Sequence, residues 1–264
     1  MANARKSQKK FHTIRFFPLF VLAMLVNILA QATHETGHHM VYQVTGHDPV
    51  WAFTKLVQLS ETTPTNPGEW VEKLNSDGTT SWLKLSFPVT SRKENAIASA
   101  AGPLAGLLGA IFGLVMFRRS QKTTSKQMWL ALSLTTSLAA VLYYMRSPIR
   151  TGGDEYDVAV QLGIAKSFIE TPLALAFLVC LILAVRELPS WRTRLTWLGT
   201  ILLGSITTGL TMVMLDPIVI AQVDAGNPWA HPIIGYSLPV FVVILLTCFG
   251  VWVWFHWQSD PVEN

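Results

Sequence analysis

The stretch FFPLFVLAMLVNILAQATHETGHH, residues 16–39, decides how the chain is read. No charged side chain occurs from Phe16 to Thr33. A helix crosses the hydrocarbon core of a bilayer in about 20 residues, so the run predicts a transmembrane helix over 16–38. It is too long for a signal-peptide core and lacks a small-residue cleavage site, which makes it a retained first span. Its end carries His34-Glu35-Thr36-Gly37-His38.

His34 and His38 stand four residues apart, so on a helix both imidazoles lie on one face and can reach one ion. Glu35 is turned about 100° around the axis from His34. From there it is poorly placed to ligate, but it can take a proton from a metal-bound water, the task that HExxH gives its glutamate. Zn2+ suits two imidazoles and one oxygen ligand, with a fourth position left for water. Asn27 and Gln31 add polar groups to the same helix, and intramembrane polar groups usually serve function. The bland alternative is a polar cluster ending a helix at the interface, to which His39 would belong. Val44 stands where a longer motif would need a third histidine, and His47 reads as a loop residue.

Outward from this stretch, 50% of the 264 residues are hydrophobic and 14% are charged. A soluble domain carries nearer a quarter charged residues, so a membrane class is favoured. Further apolar runs lie at 95–117, 127–146, 167–186, 195–215 and 233–255. The expected fold is an all-α polytopic membrane protein with about six transmembrane helices. The net charge of +4 comes from short basic clusters beside the spans, a pattern that sets topology and gives no sign of nucleic-acid binding. Arg5 to Arg15, Arg118 to Lys126 and Arg186 to Arg194 alternate with the other connections. The positive-inside rule then puts both termini in the cytoplasm.

Residues 46–93 form the longest connection. Trp51–Ser60 and Thr80–Phe87 alternate weakly, with turn formers Pro64, Asn66-Pro67-Gly68 and Asp77-Gly78 between them, so a small extramembrane β-hairpin is expected. Its edge can offer strand addition to an extended substrate or simply cover the site. Gly102, Gly106, Gly109 and Gly113 give the second helix a small-residue face for close helix packing. Pro103 frees one carbonyl. Tyr143-Tyr144 and Trp252, Trp254 and Trp257 read as interfacial anchors, as do His231 and His256. Cys180 and Cys248 lie in apolar runs and read as small core residues.

Two histidines need an anionic partner. Thr151-Gly152-Gly153-Asp154-Glu155-Tyr156-Asp157 offers it, since two glycines permit close backbone approach. Asp154 stands where a helix can begin and Asp157 one turn later. Asp154 as a helix cap is the local alternative, and Asp216 in Leu215-Asp216-Pro217 is a distant one.

HExxH at the end of a membrane helix, followed by Ala101-Gly102-Pro103-Leu104-Ala105-Gly106 in the next, resembles the site-2 protease family of intramembrane zinc proteases. The resemblance covers residues 16–165. It implies zinc held by His34, His38 and an aspartate from a third core element. By position that aspartate is Asp154, with Asp157 as second choice. The family's aspartate precedes its glycines, whereas here the glycines come first, so both stay open. Glu35 would be the catalytic base, and Gly102, Pro103 and Gly106 would shape the substrate cleft. The family often has Asn where Gly106 stands, leaving that role to another residue, for which Asn95 is a candidate. The family's zinc commonly sits nearer the cytoplasm, which the charge pattern here opposes.

The expected organisation is a basic N-terminus (1–15), a metalloprotease core (16–166, with the hairpin at 46–93 and the acidic segment at 147–157) and C-terminal helices (167–264). The expected activity is zinc-dependent hydrolysis of peptide bonds in membrane or membrane-proximal proteins, with membrane lipid as the surrounding partner. The alternatives are a non-catalytic transporter, metal sensor or scaffold, and a membrane metallopeptidase of the prenyl-protein-processing kind. The latter would need a glutamate ligand from a later helix, where only Glu170 and Glu187 stand.

Overall fold

A computed structural model describes residues 16–46, 49–54, 56–60, 71–74, 80–85, 91–147, 152–224, 227 and 232–257. The basic N-terminus, His47, His231 and the turn formers of the 61–79 region lie outside the described residues. Seven helices occur among them: α1 (Phe16–Val44), α2 (Arg92–Arg119), α3 (Thr123–Met145), α4 (Asp154–Leu162), α5 (Ser167–Arg186), α6 (Trp191–Asp224) and α7 (Leu238–Trp257). All but α4 are long and apolar enough to cross a membrane. The chain is an all-α polytopic membrane protein.

Its outer surface agrees with that medium. Leu108, Phe112, Leu210, Met214, Leu246 and Phe249 are exposed, and a contiguous apolar surface of this kind is stable against lipid rather than water. The centre of the bundle packs Leu19, Leu22 and Val26 of α1 against Leu130 and Leu134 of α3 and Trp197 and Ile201 of α6. Two glycines set helix spacing. A Cβ on Gly37 would lie 2.5 Å from the Ala101 carbonyl oxygen, and one on Gly113 would lie 2.9 Å from that of Trp129. Thus α2 rests directly on the backbones of α1 and α3, as its small residues predict.

The expected β element is present and larger than a hairpin. Strands β1 (Val50–Trp51), β2 (Leu56–Ser60), β3 (Val71–Leu74), β4 (Thr80–Leu85), β5 (Pro232–Ile233) and β6 (Tyr236–Ser237) form one sheet in the order β3-β4-β2-β1-β6-β5. The stretch expected as one strand over 51–60 breaks at Ala52–Thr54, because there the backbone turns its N–H groups to a side chain. Phe53 N–H and Thr54 N–H donate to Asp216 Oδ1 at 2.7 and 3.1 Å, and the Thr54 hydroxyl donates to Oδ2. The fifth span, expected to end near 215, continues through Asp216-Pro217 to Asp224. Proline lacks only one N–H, and a packed membrane helix tolerates that loss. Strands β5 and β6 occupy the start of what read as the sixth span.

Pairing of β6 with β1 puts the α6–α7 connection at the same end of the bundle as the α1–α2 connection. Contact of Asp154 with the histidines of α1 puts the α3–α5 connection there too. All the described extramembrane structure of any size therefore gathers at one end. The other end carries the short connections after Arg119 and Arg186, where Arg118 meets Glu187 at 2.9 Å. Helix α2 starts beneath the sheet on a capping box: Ser91 Oγ accepts from Glu94 N–H at 3.3 Å, and Glu94 Oε2 accepts from Ser91 N–H at 3.0 Å.

Candidate metal centre

His34 and His38 lie on one face of α1, roughly 9–15 Å along the axis from its C-terminal end, near the sheet-bearing interface. Their imidazoles meet edge to face, with Nε2 atoms 3.2 Å apart. Asp154 opens α4 and brings Oδ2 to 3.1 Å from His34 Nε2 and 3.4 Å from His38 Nε2. Two imidazole nitrogens and one carboxylate oxygen thus converge, and this is the one such group among the described residues.

Two observations test whether these residues fit zinc. A tetrahedral ion with ligands at 2.0–2.1 Å separates neighbouring ligand atoms by about 3.3 Å, and the three separations found here bracket that value. The tautomer agrees. His38 Nδ1 lies 2.7 Å from the Ala98 carbonyl oxygen, which can only accept, so Nδ1 carries the hydrogen. The Nε2 lone pair then points at Asp154 Oδ2 and His34 Nε2, and a cation or a proton must lie among them. The Nδ1–H to carbonyl bond is the usual outer support of a ligating histidine. The residues fit the metal.

Gly102 makes this placement possible. A Cβ there would stand 2.1 Å from His38 Nε2 and 2.4 Å from Cε1, so the ring edge occupies the room that a side chain would take. Gly102 therefore seats the His38 ring. Pro103 and Gly106 line a cavity of about 280 Å³ beside His34 and Asp154, whose wall also includes Asn27, Gln31, Thr136 and Phe177. The asparagine in that wall is Asn27 of α1; Asn95 does not line it.

Glu35 is buried, 6% exposed, with Oε1 accepting from Gln31 Nε2–H at 2.7 Å. Its carboxylate is within electrostatic reach of His34, His38 and Asp154. On the other face of the motif, the Thr36 hydroxyl lies 3.0 Å from the Tyr236 hydroxyl, and His39 stacks on the Tyr236 ring. Strand β6 therefore packs on α1 opposite the cavity.

Burial would lift the Asp154 carboxyl, but when His34 and His38 are protonated their hydrogen bonds and charge outweigh it and hold it well below the usual carboxylate range. Asp157 behaves in the opposite way. Burial, then the charges of Asp154 and Glu155, push it up, and His38 only partly opposes them. Asp157 is not part of the converging group. Asp216 is not either; it caps the turn between β1 and β2. Asp154 does not cap its own helix: the N-cap of α4 is Gly153, φ +112°, and no side chain caps the helix.

Tyr143 and Tyr144, expected as interfacial anchors, line the cavity with Glu155. Glu155 is 1% exposed and accepts from Tyr144 Oη at 2.6 Å and Tyr143 Oη at 3.1 Å. The signal available was a pair of tyrosines about ten residues before an acidic cluster, which interfacial preference alone also explains. No protein-family model, curated protein or solved structure matches the chain.

Proposed function

We propose that this protein is a membrane-embedded zinc metalloprotease, similar to site-2 proteases, that hydrolyses peptide bonds of membrane or membrane-proximal protein substrates. The observation that carries this reading is the convergence of His34, His38 and Asp154 at separations that fit a tetrahedral ion, with Glu35 buried beside them. Bound zinc would supply Lewis acidity and bring the pKa of a coordinated water toward neutrality. His34 Nε2, His38 Nε2 and an Asp154 oxygen would hold the ion, with His38 oriented by the Ala98 carbonyl. Gln31 holds Glu35 through Oε1, which leaves Oε2 to take the proton of the attacking water and return it to the leaving amine. The cavity walled by Asn27, Gln31, Pro103, Gly106 and Phe177 would accept a side chain of the substrate next to the scissile bond. The charge pattern favours cytoplasmic termini, with the sheet and the site toward the opposite face of the membrane.

The test is Glu35→Gln in the full chain. Zinc content, measured by elemental analysis of the purified protein, should equal that of wild type. Cleavage should fall by about 10²–10⁴-fold, the usual loss for a general base, read by comparing membrane proteomes of cells carrying either form. Undiminished cleavage in the variant would remove Glu35 from the mechanism. Zinc retention with no proteolysis in wild type would instead favour a non-catalytic zinc protein. Cysteine-accessibility labelling at a residue between 60 and 80 decides the orientation.

A further inference from the structure

Asp154 is held in place by very little of its own helix. Helix α4 has nine residues, short of the roughly 12–15 at which an isolated helix becomes even marginal. It starts without a side-chain cap, after two glycines of which Gly153 has φ +112°. Asp154 itself spends its carboxylate on the histidines. Packing on α2 holds the body of the helix, and the first turn needs a tie of its own.

The neighbouring residue supplies it. Glu155 projects about 100° around the axis from Asp154, away from the histidines and toward the end of α3. Its carboxylate is buried and receives both tyrosine hydroxyls, at 2.6 and 3.1 Å. A buried carboxylate is tolerable only when hydrogen-bonded, and moving it away from its donors is costly. The donors are themselves fixed: the Tyr144 ring is 8% exposed, packs on Phe177 with centroids 6.1 Å apart, and meets Tyr143 edge to face. The body of α4 lies on α2, with Val158 and Ala159 buried, and its first turn is tied by one carboxylate to α1 and by the next to α3.

We infer that Tyr143, Tyr144 and Glu155 are positioning residues that hold Asp154 at His34 and His38 and so set the affinity of the metal centre. This rests on the metal reading above. The residues act through Asp154 and do not touch the ion. Outer supports of this kind typically change metal affinity 10–100-fold when removed.

The experiment uses the full chain in detergent, stripped of metal, with Co2+ as the probe. Affinity is read by competition with a chromophoric chelator, and coordination is read from the d–d absorption. The variants are Tyr143→Phe/Tyr144→Phe, Glu155→Gln and Asp154→Ala. The double tyrosine variant should bind Co2+ about 10–100-fold more weakly than wild type, with a weaker d–d band as the carboxylate leaves the tetrahedral set. Glu155→Gln should stay within a few-fold of wild type, because an amide can still bond both hydroxyls. Thermal unfolding of the metal-free forms separates folding from ligation, since a merely structural peg would lower the melting temperature and leave the spectrum unchanged. A double tyrosine variant with wild-type affinity and spectrum overturns the inference, as does a Glu155→Gln protein as weak as the double variant. Wild-type affinity in Asp154→Ala would overturn the metal reading itself.

Discussion

Replacing Gly102 with alanine tests the geometry of the centre most directly. The added Cβ would lie 2.1, 2.4 and 2.7 Å from Nε2, Cε1 and Cδ2 of His38. Ordinary contact begins near 3.4 Å, so the ring must retreat by about 1.3 Å. Metal–ligand distances tolerate about 0.2 Å, so a retreat of that size removes Nε2 from the ligand set and lengthens the 2.7 Å bond from Nδ1 to Ala98. Loss of an outer support alone costs 10–100-fold in affinity. Loss of the ligand position should exceed that, so Gly102→Ala is expected to bind zinc at least about 100-fold more weakly, roughly 2.7 kcal/mol. The control is Gly109→Ala in the same helix. There a Cβ meets nothing closer than Thr33 Cγ2 at 3.8 Å, and alanine is the better helix former by up to about 1 kcal/mol. That variant should bind zinc like wild type and melt no lower. The assay is chelator competition on both purified proteins alongside thermal unfolding. Wild-type zinc affinity in Gly102→Ala would refute the placement of His38 on the α2 backbone.

Other outcomes follow from the same structure. Asp216→Ala leaves Phe53 N–H, Thr54 N–H and the Thr54 hydroxyl without their acceptor; it should destabilise the protein by about 2–4 kcal/mol in thermal unfolding while zinc content stays unchanged, and loss of zinc with normal stability would restore Asp216 as a ligand. Asp157 is raised in the folded protein, so its ionisation opposes folding: the stability tied to its protonated form is present below the ordinary carboxylate range and is lost as pH rises through the raised value. Asp157→Asn in the metal-free protein should therefore melt higher than wild type at neutral pH, with the gain fading toward about pH 4; a pH-independent difference would contradict this. Glu187→Gln removes the partner of Arg118, whose side chain is 54% exposed, and should change stability by less than about 1 kcal/mol, checked by thermal unfolding.

The residues that define the bundle, and the shared face of His34 and His38, are legible locally. Uncharged runs of about 20 residues have little choice in a bilayer, and histidines four apart on a helix must share a face. Nothing in Gly153-Asp154-Glu155 says which carboxylate turns to α1 and which to α3. The bonds of Tyr143 and Tyr144 to Glu155 are not legible either, because a preference for interfaces explains the same two residues and says nothing of a partner beneath them. Asp216 before proline looked like the end of a helix, yet its partners, Phe53 and Thr54, are over 160 residues away. The two-residue strands β1, β5 and β6 are too short to leave a periodic signal, and they exist because distant connections meet at one end of the bundle.

That meeting has a consequence for the chain as a whole. Trp51 N–H donates to the Gly235 carbonyl at 2.9 Å, and the Ser237 hydroxyl donates to the Trp51 carbonyl at the same distance. The last two helices, which carry no recognisable chemistry, thereby close a buckle over the helix that holds His34 and His38. A fragment cut after Asp154 would keep His34, His38 and Asp154 but leave Trp51 with bare backbone groups and expose the Thr36–His39 face of α1. The two halves of the chain are therefore coupled through Trp51, and dissecting them should cost the His34–His38–Asp154 group its shape.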